Sequence, residues 1–192
     1  MEVFDAIKTR RSIRHYKTDL VPEELVQKVL EAARWAPSWS NKQRSRYLVI
    51  RDKGKRKKLA DSLRPGNSVA AALTEAPVAI VVCVEVAKAG YTAGDKVTGG
   101  SDWKTSTTNK GNLYLFDAGL AMQNLVLAAH ALGLGTVFVG AFQVNNVAEA
   151  IDLPEGMEMI AMTPLGYPAE GGRNPSRKEL SELVFNEQYG QQ

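Results

Sequence analysis

The sequence predicts an α+β protein in which helices pack around a small sheet, and three observations carry that reading. Helical and strand-like patterns alternate irregularly, without the regular repetition that builds a doubly wound parallel sheet. The longest apolar stretch, residues 113–134, reads as one buried central helix and not as a membrane span, because Asp117, Gln123, Asn124 and His130 interrupt it. No internal repeat or low-complexity tract appears, and 192 residues, 44% of them apolar and 23% charged, are enough to bury one core. The expected organisation is a single domain over residues 1–192.

Val3, Phe4 and Ile7 recur at helical spacing and open the chain as a helix; with acids among them, the pattern differs from a signal peptide and no export is expected. Pro22, Glu23 and Glu24 form a helix start, and Leu25, Val26, Val29, Leu30 and Ala33 continue it to about Trp35. Residues 47–50 and 78–84 are short and rich in branched side chains, so both read as buried strands, with two helices between them broken at Pro65-Gly66. Residues 87–112 are rich in Gly, Ser, Thr and Lys without sustained periodicity, and they read as a lid-like insertion. Gly133 and Gly135 end the central helix. Residues 136–139 and 159–163 supply two more strands around a short helix capped at or near Asn146. Ser176 with Glu179 resembles a capping box that opens a last short helix.

Composition narrows the function classes. Lys and Arg number 24 against 21 Asp and Glu, a mild basic excess that suits a phosphate-bearing small molecule and falls short of a nucleic-acid tail. The most basic run, residues 51–58, carries an acid and no aromatic side chain, and it reads as a solvated helix face; no nucleic-acid partner is expected. Cys83 is the only cysteine and lies inside the apolar run 78–84, which makes it a core residue in a reducing, cytoplasmic setting. With only His15 and His130 in the chain, no metal site is expected, and His130 reads as a packed or partly exposed histidine. Gly133 and Gly135 precede a strand instead of joining strand to helix, so no dinucleotide fingerprint is present.

Two constellations carry chemistry. Arg10-Arg11-Ser12-Ile13-Arg14 places three guanidinium groups and a hydroxyl where the first helix ends, donors suited to a phosphate; the plainer reading is a solvated basic helix end. The loop Ala36-Pro37-Ser38-Trp39-Ser40-Asn41-Lys42-Gln43 offers two amides that donate and accept at once, matching the edge and hydroxyls of a flavin; the plainer reading is an ordinary turn.

The segment RRSIR, the loop APSWSNKQ, the central AGLAMQNLVLAAHALGLGTVFVGAF and the later PLGYP occur in an order that resembles the FMN-dependent nitroreductase family over nearly the whole chain. The resemblance implies helices around a small mixed, mainly antiparallel sheet with a long central helix, and noncovalent FMN reduced by NADH or NADPH. Arg10 and Ser12 would contact the FMN phosphate and ribityl chain, Arg11 would act mainly through its backbone, and Arg14 would lie at the pyrimidine edge, where a cation favours the reduced ring. Asn41 and Gln43 would hydrogen-bond the ring and ribityl. In Val139-Gly140-Ala141 a backbone N–H, that of Gly140 foremost, would face N5, where the absence of a side chain permits close approach. Arg177, ahead of Lys178, would return a basic residue to the phosphate. No side chain is expected to serve as an obligatory acid, base or nucleophile.

The resemblance also implies a homodimer with FMN at the subunit interface and a small-molecule acceptor such as a nitroaromatic or quinone. Trp39, Tyr91 and Trp103 are candidates to line the acceptor site by stacking. Two departures stand out: Arg44-Ser45 replaces the Pro-Trp often found after the loop glutamine, and no acid occupies the Gly140 position. Three other readings stay open at this point: a flavin-sequestering protein with little turnover, a dehalogenase or ene-type reductase on the same scaffold, and a basic RNA-binding domain.

Overall fold

The computed structural model describes residues 1–86 and 113–191. The lid-like insertion, with Tyr91 and Trp103, lies outside the described residues. The described elements are α1 (Val3–Thr9), α2 (Glu23–Arg34), β1 (Ser45–Ile50), α3 (Lys53–Asp61), α4 (Val69–Glu75), β2 (Val78–Glu85), α5 (Leu113–Ala131), β3 (Gly135–Thr136), α6 (Val144–Ala150) and β4 (Met157–Gly166), with 3₁₀ turns at Trp39–Asn41 and Leu180–Glu182.

The four strands form one sheet in the order β1-β2-β4-β3, every pair antiparallel. A parallel bridge from Ser12 to Thr136 adds the segment after α1 beside β3. Strand β2 explains the continuous apolar run in the sequence, because both of its faces are covered. Ala79, Val81 and Cys83 point into a core with Leu59, Leu73, Val147 and Met162, so α3, α4 and α6 cover that face. Val78 and Ile80 point the other way, onto Val26, Val29, Leu125 and Ala129 of α2 and α5. Val82 and Val84 continue this second face onto Tyr114, Ala118 and Met122 of α5. Residue alternation along one strand thus builds a helix–sheet–helix arrangement.

Cys83 is fully buried, and burial pushes its thiol up to about 11. The folded protein should therefore leave this thiol unlabelled by a soluble disulfide reagent at pH 8 and yield one thiol per chain once denaturant is added. Fast labelling without denaturant would contradict the packing of β2.

Several expectations need correction. The strand expected over 136–139 is only Gly135–Thr136, and Val139 pairs separately with Met162. The N-cap of α6 is Gln143, not Asn146; the Asn146 side-chain amide donates to Gln143 Oε1 over 2.6 Å. The capping box belongs to Glu179 and Glu182, three residues later than Ser176 with Glu179. Arg56 does not join a solvated face. It is 8% exposed, and its guanidinium donates to the carbonyls of Leu73, Thr74 and Ala76, closing the C-terminus of α4. Finally, the apolar positions of α1 are open: Val3, Phe4 and Ile7 are exposed, as are Leu115 and Phe116 on α5.

Candidate functional site

Helix α1 stops at Arg10, whose N–H still reaches the Ala6 carbonyl, and the chain then runs extended beside β3. Ile13 donates its N–H to the Thr136 carbonyl over 2.9 Å, and Lys17 donates to Tyr167 over 2.9 Å. Ile13 and Tyr16 are buried in a core with Ala72, Ala76 and Val137, which fixes the stretch between them. Ser12 and Arg14, flanking Ile13, are only half-buried and line a cleft of about 270 Å³ with His15, Ser68 and the segment Glu170 to Arg173.

The segment after β4 closes over the arginines. Ala169 donates its N–H to the His15 carbonyl over 3.0 Å. A Cβ built on Gly172 would lie 2.5 Å from Arg11 Cβ and 2.8 Å from the Ser12 carbonyl oxygen, so the two backbones touch where only glycine fits. The Arg11 guanidinium is spent locally: it donates to the carbonyls of Lys8 (2.6 Å) and Arg10 (2.8 Å) and to the Asn174 side chain. Among the described residues, the Arg10 guanidinium makes no such contact. Burial, then the charges of Arg11 and Arg177, hold it below its ordinary range. Among the described residues, Arg10, Arg11, Arg14 and Arg177 make no ion pair with a carboxylate. Such an unneutralised cluster with a hydroxyl beside it is suited to a multiply charged anion. Lys178 is occupied elsewhere, 3.8 Å from Glu182.

The second constellation is built on a strained loop. Ser40, Asn41 and Gln43 have φ of 47°, 54° and 51°, a region that costs non-glycine residues about 1 kcal/mol or more each. Several hydrogen bonds hold the loop. The Trp39 N–H donates to both Asp117 carboxylate oxygens at 3.1 Å, the Asn41 N–H to the Ser38 carbonyl at 2.9 Å, and the Gln43 N–H to Ser38 Oγ at 2.9 Å. Asn41 and Gln43 are exposed, and among the described residues their side chains join each other by a 3.2 Å amide contact; Trp39 stands 42% exposed beside the Lys42 ammonium. Neither amide lines the cleft of Ser12 and Arg14. Within one chain the two constellations stay apart.

Asp117 is the buried carboxylate of the apolar helix α5. Burial holds its carboxyl above the ordinary range, and the Trp39 hydrogen bond opposes that rise. A raised folded value means that the group favours folding below its unfolded value of about 3.9, and that this contribution is lost as pH rises through the folded value. At pH 7 the charge is a net cost, while the acceptor oxygens are needed. Asp117→Asn should therefore match or exceed the wild-type stability at pH 7, and Asp117→Ala should lose about 1–3 kcal/mol by leaving the Trp39 N–H unpaired. Thermal unfolding of both variants checks this; equal losses would show that the charge itself anchors the loop.

Val139 is buried and exchanges two hydrogen bonds with Met162, at 2.9 and 3.0 Å. Gly140 and Ala141 follow at the surface, and space around Gly140 is open to 4 Å. Among the described residues the Gly140 N–H donates to no acceptor. Three positioning residues escaped the sequence reading. Asp117 carried a usable signal, a lone carboxylate in an apolar helix that must find a donor. Gly172 and Asn174 carried little, since their partners lie some 160 positions away in the chain.

A model of the nitroreductase family matches residues 7–167. The chain is 35% identical over 184 residues to a Methanothermobacter thermautotrophicus protein assigned as an NADH dehydrogenase/NAD(P)H nitroreductase, covering 94% of this chain and 83% of the relative. It is 30% identical over 192 residues to an NAD(P)H-type FMN reductase of Bacillus subtilis, covering 97% of this chain and 73% of the relative. Among solved structures, one from Desulfovibrio desulfuricans assigned as a nitroreductase in complex with FMN superposes with a TM-score of 0.75 at 34% identity, covering 98% of both chains.

Proposed function

The chain belongs to the nitroreductase family, and from that membership we propose that it is an FMN-dependent oxidoreductase using NADH or NADPH to reduce a small acceptor of the nitroaromatic or quinone class. The observation that carries the reading is the arginine segment itself: Arg10, Arg11 and Arg14 flank the Ser12 hydroxyl and, among the described residues, make no ion pair with a carboxylate. That donor set fits a phosphate monoester: guanidinium groups match its oxygens in charge and geometry, and the Gly172 contact seats the covering backbone against Arg11 and Ser12. Bound FMN supplies the centre that accepts and donates hydride.

The chain's own residues bind and orient. Arg10 and Ser12 would hold the phosphate and ribityl chain, and Arg11 would stiffen the segment, since its guanidinium already closes the end of α1. Arg14 would place positive charge at the pyrimidine edge, and the Gly140 N–H, which donates to no acceptor among the described residues, would be the donor facing the ring. Asn41 and Gln43 would complete the ring site from a second copy of the chain. The separation of their loop from the cleft within one protomer supports a homodimer, as do the exposed Val3, Phe4, Ile7 and Phe116. Among the described residues no helix is long and apolar enough to cross a membrane.

Anaerobic stopped-flow spectroscopy tests the reaction. Mixing with NADH or NADPH should bleach the flavin absorbance, and a second mixing with a nitroaromatic or quinone should restore it. Bleaching without restoration by any acceptor would exclude the acceptor class, and absence of bleaching with both nucleotides would exclude the donor.

A further inference from the structure

Helix α5 brings His130, in its last turn, against the end of α1. Thr9 Oγ1 lies 2.6 Å from the Asp5 carbonyl oxygen and 2.8 Å from His130 Nε2. A hydroxyl has one proton and a carbonyl only accepts, so the Thr9 O–H is committed to Asp5 and its oxygen receives the His130 Nε2–H. Nε2 thus keeps its hydrogen, and Nδ1 is the nitrogen that titrates.

Arg10 and Arg11 follow Thr9 directly. Burial first, then the charges of these two arginines, hold His130 below its ordinary range. Helix α2 meets this part of α5 with the apolar side chains Val26, Val29 and Ala33. Among the described residues no carboxylate lies within ion-pair distance of His130. The end of α5, with its free carbonyls, by itself favours a protonated histidine. The arginine pair adds to burial in opposing protonation of this ring, and it is the part of that opposition that a bound anion can offset.

We propose that His130 is a proton-linked sensor of the phosphate site: binding of a phosphate group at Arg10 and Arg11 and protonation of His130 Nδ1 favour one another. This rests on the reading that the arginine segment holds the FMN phosphate. An anion there offsets the charges that oppose protonation, and by linkage a protonated His130 returns the same factor to anion affinity. Across neutral pH, cofactor retention then responds to acidity through a residue that never touches the cofactor.

The test is an NMR titration of the imidazole resonances between about pH 5 and pH 8 in the full chain, with and without FMN, and with sulfate as a second probe. The chain has two histidines, so His130→Gln assigns the pair. Sulfate keeps both charges through this range, whereas a phosphate monoester gains a proton near pH 6, at about the same place as histidine. The His130 midpoint should rise by about half to one pH unit on FMN binding and move the same way with sulfate. Sulfate should correspondingly bind roughly 3- to 10-fold more tightly below the midpoint than above it. Arg10→Gln should raise the midpoint in the cofactor-free chain, because it removes one of the two opposing charges. Nitrogen-15 shifts should show Nε2 protonated at every pH. FMN bound with an unmoved His130 midpoint overturns the inference and leaves the cofactor reading intact. Failure to bind FMN at any pH overturns both.

Discussion

Arg10→Gln is expected to weaken FMN binding by roughly 10- to 150-fold, the cost of about 1.5–3 kcal/mol for a hydrogen bond to a charged group. Arg10 is the member of the cluster whose guanidinium is not committed to carbonyls, and its neighbours Arg11 and Arg177 already hold it in a positive field. Arg10→Glu, which sets a carboxylate against the phosphate, should give protein that loses FMN during purification. Lys178→Gln should change affinity by less than about twofold, because its ammonium is paired with Glu182 at the surface. Fluorescence titration of apoprotein with FMN reads all three. Equal effects of the Arg10 and Lys178 substitutions would show that diffuse positive charge, not a built site, holds the cofactor.

Gly172→Ala is expected to lower both stability and FMN affinity. The added methyl would fall 2.8 Å from the Ser12 carbonyl oxygen and 2.5 Å from Arg11 Cβ, neither of which is the end of a flexible side chain. Relief requires the covering segment to lift off the arginine segment, at about 1–3 kcal/mol for overpacking. Lifting also loosens the Asn174 contact that helps to fix Arg11. Calorimetry should show a lower Tm, and the FMN titration a weaker Kd. Gly171→Ala, one residue away with open space to 4 Å, should leave both nearly unchanged. Equal behaviour of the two variants would mean that the contact at Gly172 is not a constraint.

What could be read from the sequence was local. The run 78–84 announced β2 because a strand covered on both faces has no polar alternation to hide it, and α2 showed itself through Pro22 and the spacing of Val26, Val29 and Ala33. The cluster Arg10–Arg14 was visible because its members are neighbours in the chain. Features set by distant partners were not visible. Arg56 reads as a surface charge until the carbonyl end of α4, some 20 residues on, is packed over it. The caps at Gln143 and Glu179 depend on the path of the preceding loop, which local spacing does not determine. The open apolar face of α1 looks in the sequence like any amphipathic helix; only the fold shows that Val3, Phe4 and Ile7 face no core among the described residues. Likewise the flavin-edge amides, Asn41 and Gln43, were recognisable by type, while their separation from the arginine cleft required three-dimensional placement.

The most direct measurement is the visible absorption spectrum of the purified protein, with the released cofactor identified and counted per chain. Yellow protein releasing about one FMN per chain, bleached by NADH or NADPH in the absence of oxygen, is the expected result. Colourless protein that fails to take up FMN on reconstitution, although folded, would contradict the assignment of Arg10, Ser12 and Arg177 to a flavin phosphate.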